Sequence, residues 1–342
     1  MTDVLRDYLL AWAASAYTVL DRRRQVLVLT LHRVGGPAEL GAAGLRQHLT
    51  YLAERYRMVT PTQLPTVANE PRVALVTIDD CHHDVVDVIF PTAHALGVPI
   101  TVCAPTDFLL RNRWLWFDRL NWALARGTRG QIVDVGNVQL KVGDAASRAR
   151  LLRHLKRQTP AGRDSLIERV LEQVGVAVPG EPTPEYQPTT PEQMRAMLAS
   201  GLVELCAHTV THPIMTHVSD EQLRRELEQS KRELEEFSGR TVVSFCYPNG
   251  EPGDFDARTR RGLQDAGYRV AFTSIEGLNR PGSVDWLELK RLHAHPRFSV
   301  FRKLASGLGD VQRGLRAKRA APVADGPAAD AAVADAAVAR AR

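Results

Sequence analysis

The run Val73-Ala-Leu-Val-Thr-Ile-Asp79-Asp80 constrains this chain more than any other stretch. It is apolar, rich in β-branched residues and free of alternation, which reads as a strand buried on both faces. Such a strand belongs to a parallel sheet whose connections lay helices over it. It stops abruptly at two carboxylates. Adjacent acids at the end of a buried strand raise one another's pKa unless a cation holds them. The pair therefore reads either as a metal ligand beside a proton acceptor or as a turn whose Asp caps the following helix.

The neighbouring segments supply what such a strand needs. Gln25 to His32 predicts a first core strand, broken by the loop Arg33-Val-Gly-Gly-Pro37, and Leu45, Leu49 and Leu52 recur at helical spacing. A helix is predicted from about Asp84 to Leu96 and a strand from Gly97 to Ala104, so strand, helix and strand alternate as in a right-handed parallel crossover. From Pro191 the alternation resumes. A helix to Ala199 is capped by Gly201, a strand runs from Leu202 to Cys206, and Ser219-Asp-Glu-Gln222 is a capping box opening a helix to about Phe237. Strands at Thr241 to Tyr247, Tyr268 to Thr273 and Trp286 to Leu292 follow, with helices at Asp256 to Ala266 and Ser299 to Leu308.

Between Trp114 and Pro191 the pattern changes to that of a mostly helical insertion at about 114–190. Trp114, Trp116, Phe117, Leu120 and Trp122 cluster ahead of a hairpin about Gly136-Asn137. Two helices follow, near Ala145 to Gln158 and Arg163 to Val174. The aromatic side chains serve either as core or as a platform for sugar rings.

At 342 residues the chain has room for one large barrel-like domain or two smaller ones. The net charge is +5, with much of the excess in Arg22 to Arg24 and Arg313 to Arg319, and no RNA or DNA motif is present, so no nucleic-acid partner is expected. Cys81, Cys103, Cys206 and Cys246 lie far apart, lack CxxC spacing and fall in or just after predicted strands, which reads as free thiols in a reducing compartment. Tyr8 to Leu20 is apolar, too short to span a bilayer, and preceded by no positive excess. Residues 1–24 are expected to form an N-terminal helix, packed on the domain or lying at a membrane interface with its arginines on headgroups. The expected location is cytoplasmic, with peripheral contact at the inner face of the membrane as the alternative. Residues 316–342 are low in complexity and are expected to be disordered.

His208-Thr-Val-Thr-His212-Pro213 follows its predicted strand as the acids follow theirs. Two histidines four apart on one side of a helical turn can share a divalent ion with a carboxylate from another strand end, although such pairs also occur on ordinary surfaces. One Asp and two His make the three-ligand set of a hydrolytic site with an open position.

These segments resemble the polysaccharide deacetylase family (NodB-homology domain, carbohydrate esterase family 4). Thr77-Ile-Asp79-Asp80-Cys81 is similar to the first motif, Thr-Phe-Asp-Asp-Gly, and His208 to Pro213 to the second. Phe245-Cys-Tyr247-Pro248-Asn249-Gly250, Leu31-His32-Arg33-Val34 and Leu289-Lys-Arg291-Leu292 fit three more, in order. The resemblance spans about Gln25 to Leu308. It implies a distorted parallel (β/α) barrel with fewer than eight units and a site at the carboxyl ends of its strands. It further implies a divalent metal, Zn2+ by ligand chemistry, on Asp80, His208 and His212, with Asp79 as general base toward water acidified by the ion. The backbone N–H of Asn249 would serve the oxyanion. His293 is the candidate general acid. Arg291 stands near that motif and reads as orienting Asp79, because Cys246 occupies the place of a motif Arg. Cys81 replaces the motif Gly at a position that often needs φ > 0, and His82 and His83 either add a metal contact or begin the helix.

The implied activity is removal of acetyl from an N-acetylated sugar in a glycan or polysaccharide intermediate. Alternatives are hydrolysis of another C–N bond, such as a cyclic amide, and a silent glycan-binding protein.

Overall fold

The structure is a computed structural model that describes residues 24–35, 40–282 and 284–307. The expectations for residues 1–23 and 316–342 lie outside the described residues. Among the described residues, no helix is long and apolar enough to cross a membrane.

Seven parallel strands close a barrel: β1 (Gln25–Leu31), β3 (Arg72–Asp79), β4 (Ile100–Ala104), β7 (Val203–Ala207), β8 (Ser244–Cys246), β9 (Val270–Glu276) and β10 (Leu289–His293). Closure is made by β1, which pairs with β10 on one side and along its whole length with β3 on the other, Gln25 opposite Arg72 through Leu31 opposite Ile78. A short strand β2 (Arg57–Met58) hangs outside the ring on β3. The architecture anticipated from sequence is thus a barrel of seven strands.

The two-residue period of a strand decides what fills it. Val26 and Val28 of β1, Val73 and Leu75 of β3, Cys103, Cys206, Cys246, Phe272 and Leu289 form one apolar cluster inside the ring. The intervening Leu27, Ala74, Val76, Val102, Leu205 and Phe245 join a second cluster with Leu45, Leu49 and Leu223 of the covering helices. Continuing the inward series on β3 leads from Val73 and Leu75 to Thr77 and then Asp79. The lumen therefore changes from apolar to charged toward the carboxyl ends of the strands.

Several local features differ from the sequence reading. The helix after β3 begins as a π-turn, Val85–Ile89, before the α-helix Phe90–Ala95, with Pro91, which has no N–H to donate, just past the junction. The strand expected over Thr241 to Tyr247 is only Ser244–Cys246, and the last strand is Leu289–His293 rather than Trp286 to Leu292. Ser219 Oγ accepts the amide of Gln222 at 3.2 Å, which is one half of the expected capping box. Gly201, at φ 75°, occupies the left-handed position just past the helix Pro191–Ala199.

Between β4 and β7 the chain builds a lobe with its own apolar cluster, including Trp116, Leu120, Val133, Leu140, Leu151 and Ile167. It comprises the helix Trp116–Arg126, the antiparallel hairpin β5 (Ile132–Val135) and β6 (Val138–Lys141), and the helices Ala145–Leu155 and Pro160–Val174. This lobe stands over the carboxyl ends of the strands and walls the site.

Candidate active site

Each site residue lies at, or just past, the carboxyl end of a strand. Asp79 ends β3, and Asp80 follows in a left-handed conformation, φ 70°, which turns its side chain away from that of Asp79. Cys81 is left-handed too, φ 56°, so the thiol sits where a glycine would be unstrained, and it is fully buried. All four cysteines are free and buried.

His208 and His212 leave β7 on an irregular loop, not on the helical turn their spacing suggested. Thr209 and His212 both have positive φ, 67° and 57°, and this winding swings the two imidazoles together. The buried carboxylate of Glu226, from the helix Asp220–Ser238, fixes the loop. Its Oε2 accepts the amides of Val210 (2.7 Å) and Thr211 (3.0 Å), and its Oε1 accepts the Thr211 hydroxyl (2.7 Å). Nothing in the motif itself marked Glu226, which lies on the amphipathic helix at a position that reads as solvent-facing charge.

Asp80, His208 and His212 converge on one point. The Asp80 Oδ1 atom is 3.5 Å from His208 Nε2 and 3.3 Å from His212 Nε2, and the two Nε2 atoms are 3.2 Å apart. Corners of a tetrahedron whose arms are about 2.0–2.1 Å long stand about 3.3–3.4 Å apart, so the three donor atoms match one face of a zinc-type coordination shell. His208 Nδ1 donates to the Cys246 carbonyl at 2.7 Å, which leaves Nε2 as the free lone pair. Asp80 Oδ1 is buried without a hydrogen bond of good geometry. A buried, unsatisfied carboxylate oxygen facing two imidazole lone pairs is a donor set that a divalent cation would complete.

Asp79 lies beside this triad but belongs to another network. Arg291, reaching across from β10, donates Nη1 to Asp79 Oδ1 at 2.7 Å and Nη2 to Oδ2 at 2.8 Å, and its Nε is held by the Thr273 carbonyl at 2.6 Å. Cys246 Sγ is 3.5 Å from Asp79 Oδ1, and His32 Nε2, after β1, is 3.5 Å from Oδ2. Burial alone would raise the Asp79 pKa. Arg291, followed by His32, outweighs it and holds the carboxyl far below the usual carboxylate range.

Asn249, φ 62°, lies in the turn after β8, and its amide N–H has no partner among the described residues. Its side chain is held by Lys156 and Asp254. Gly250 is required next to it, since a Cβ there would meet the Ser274 amide at 2.9 Å and the Tyr247 carbonyl at 3.1 Å.

A cavity of about 260 Å3 opens on Asp79, Asp80, His208, His212, His32 and Asn249. Trp116, Phe117, Arg148 and Lys156 of the lobe complete its wall. It runs into a larger cleft of about 670 Å3 that shares His32, Asp80, Phe117, Asn121 and Arg148. His32, which sequence reasoning used only as a motif marker, lines both. His293 does not line either one: its ring lies behind that of His32, centroids 6.3 Å apart and planes inclined by 22°. His82 pairs with Asp118 of the lobe at 2.8 Å, and His83 with Asp87 at 3.3 Å, so neither joins the triad.

Comparisons with known proteins bear on the fold that carries this site. A search of curated protein sequences finds no match. The family model for polysaccharide deacetylase matches residues 160–271, which include the His208 to His212 loop and the Asn249 turn. Among solved structures, the Streptococcus pyogenes deacetylase PplD, in complex with acetate, superposes with a TM-score of 0.55 at 15% identity, covering 82% of this chain and 99% of its own. IcaB from Ammonifex degensii superposes at 0.51 and 19% identity over 82% and 97% of the two chains. The Bacillus cereus polysaccharide deacetylase BC0361 does so at 0.53 and 15% identity over 82% and 69%. At such identities these structures establish the shared barrel. The chain thus shares its barrel with these deacetylases, and its histidine loop and Asn249 turn lie within the third of the chain that the polysaccharide deacetylase model matches.

Proposed function

We propose that this protein is a divalent-metal-dependent hydrolase that removes the acetyl group from an N-acetylated sugar of a glycan or polysaccharide intermediate. The observation that carries the reading is the convergence of Asp80, His208 and His212 at 3.2–3.5 Å beside an Asp79 held anionic by Arg291, on the floor of a cleft. Asp80, His208 and His212 would hold the cation, and Zn2+ suits one carboxylate and two imidazoles. When bound it would supply Lewis acidity, lowering the pKa of water from 15.7 to about 7 and polarising an acyl oxygen.

The chain's own residues do the rest. Asp79 accepts the proton of the attacking water. Arg291 keeps Asp79 charged and aimed but also makes it a weak base, so it suits a water that has already been acidified. The free amide N–H of Asn249 donates to the oxyanion as it forms. His32, half exposed in the cleft mouth and next to Asp79, protonates the departing amine. His293, read from sequence as that acid, supports the His32 ring from behind. The 260 Å3 cavity suits one sugar unit, and the adjoining cleft takes its neighbours along a chain.

The test is to incubate purified, metal-analysed protein with a panel of N-acetylated oligosaccharides and measure released acetate. Metal-dependent release that Asp79→Asn abolishes is expected. Release from no N-acetyl sugar by metal-loaded protein would overturn the reading.

A further inference from the structure

We propose that a second cavity, behind the His208 to His212 loop, binds a phosphate-class oxyanion. This cavity, about 290 Å3, is lined by four arginines, Arg113, Arg119, Arg163 and Arg225, against two aspartates, Asp107 and Asp164. Arg119 is engaged by Glu168. Arg113 and Arg225 are more than half exposed and only distantly paired, with Asp107 at 3.7 Å and Glu226 at 3.8 Å. Those acids are committed elsewhere: Asp107 also meets Arg111 at 3.1 Å, and Glu226 holds the loop amides.

Arg163 is the distinctive member. Its side chain is only 7% exposed, yet its one ion-pair partner is the adjacent Asp164, reached through Nε at 3.5 Å. Nη1 and Nη2 have no partner among the described residues, and the guanidinium lies 4.7 Å from the centroid of the Trp116 ring. Burial lowers its pKa against the opposing pull of Asp164 and Glu226.

The backbone adds to this. The helices Trp116–Arg126, Pro160–Val174 and Asp220–Ser238 all contribute residues of their first two turns to the wall. Their amino ends carry partial positive charge, which favours an anion beside them. Four acids, Asp107, Asp164, Glu168 and Glu226, face the four arginines, but only Arg119 is closely bonded to its acid; Arg113, Arg163 and Arg225 stand 3.5–3.8 Å from theirs, which leaves guanidinium N–H groups for the oxygens of a phosphate group. The planar guanidinium forks suit its oxygens. Val210 and Thr211, between the two histidines of the triad, belong to the same wall, and Trp116 lines both this cavity and the catalytic one. Occupancy would therefore brace the loop that carries His208 and His212.

The phosphate could be free or esterified to a glycan or its carrier, and the test separates these sources. Metal-loaded full-length protein is titrated calorimetrically with inorganic phosphate and, separately, glucose 1-phosphate, at constant ionic strength in chloride. One saturable site per chain is expected. Arg163→Gln should weaken it at least tenfold, and Asp80→Asn, which disables the metal centre, should leave it within about twofold. If Arg163→Gln does not fold, Arg225→Gln should weaken binding at least threefold. Tighter binding of the ester than of inorganic phosphate supports an esterified source, and equal binding a free one. Absence of saturable binding, wild-type affinity in the arginine variant, or loss of binding in Asp80→Asn would overturn the proposal.

Discussion

Arg291 grips both oxygens of Asp79 across the barrel lumen, from β10 to β3, with the two residues 1% and 2% exposed. The pair is both a structural tie and the device that sets the charge of the proposed base. Replacing Arg291 by Met leaves a buried carboxylate without its cation, which costs about 3–5 kcal/mol. The pH dependence has a definite sign. In the wild type the folded-state pKa of Asp79 is depressed, so its stabilising contribution is complete above the unfolded value of about 3.9 and fades only as pH falls below it. In Arg291→Met, burial raises that pKa, and stability is lost as pH rises through it. Urea unfolding at pH 7.5 and 4.5 should therefore show the gap between the two proteins shrinking at the lower pH. A gap that is constant or wider there contradicts the pairing.

Metal removal should abolish deacetylation, and Zn2+ should restore it. His208→Ala and Asp80→Asn each remove one corner of the donor triangle and should reduce metal content, measured by elemental analysis, below one tenth of an ion per chain. The wild type should also melt higher with metal. At a free concentration one hundred times Kd the gain is about 2.7 kcal/mol, and both variants should lack it. Equal metal content in wild type and variants would place the ion elsewhere.

The barrel was legible because its signals are local. An unbroken apolar run such as Val73 to Ile78 has few homes besides a parallel strand, and the alternation with helical periods fixes how such strands connect. The convergence of Asp80 with His208 and His212 was also legible, because each motif follows a strand and strand ends share one rim. The loop conformation was not. The i, i+4 spacing suggested a helix, but positive φ at Thr209 and His212 comes from the surrounding contacts, and residue identity does not announce it. Glu226 was hidden for the same reason, since a charged residue on a polar helix face looks solvated until the loop it anchors is in place. His32 and His293 could not be ranked by sequence, because which imidazole faces the cleft depends on how β1 and β10 pair across the closure.

Glu226→Gln tests the support beneath the triad. The carboxylate takes two backbone amides and one hydroxyl in a buried setting, and a carboxamide can present only one acceptor oxygen to three donors. A stability loss of about 1.5–3 kcal/mol is expected, the usual size of a hydrogen bond to a charged group. Metal affinity should weaken by about 10–100-fold, although Glu226 touches no donor atom of the triad. Competition titration against a chromophoric chelator reads the affinity directly, and an unchanged value would show that the loop holds its shape without this anchor.

His32 and His293 stand one behind the other, and only the front ring borders the cleft. If His32 donates the proton to the departing amine, His32→Asn should lower kcat on an N-acetyl sugar by about 10²–10⁴-fold with metal content unchanged. His293→Asn should cost less than about tenfold, because that ring only backs the other. An aryl acetate ester distinguishes proton donation from simple damage to the site. Its phenolate leaves without protonation, so His32→Asn should hydrolyse it at close to the wild-type rate. Equal losses on the amide and the ester would mean that His32 shapes the cleft and carries no proton, and a larger amide loss in His293→Asn than in His32→Asn would return the acid role to His293.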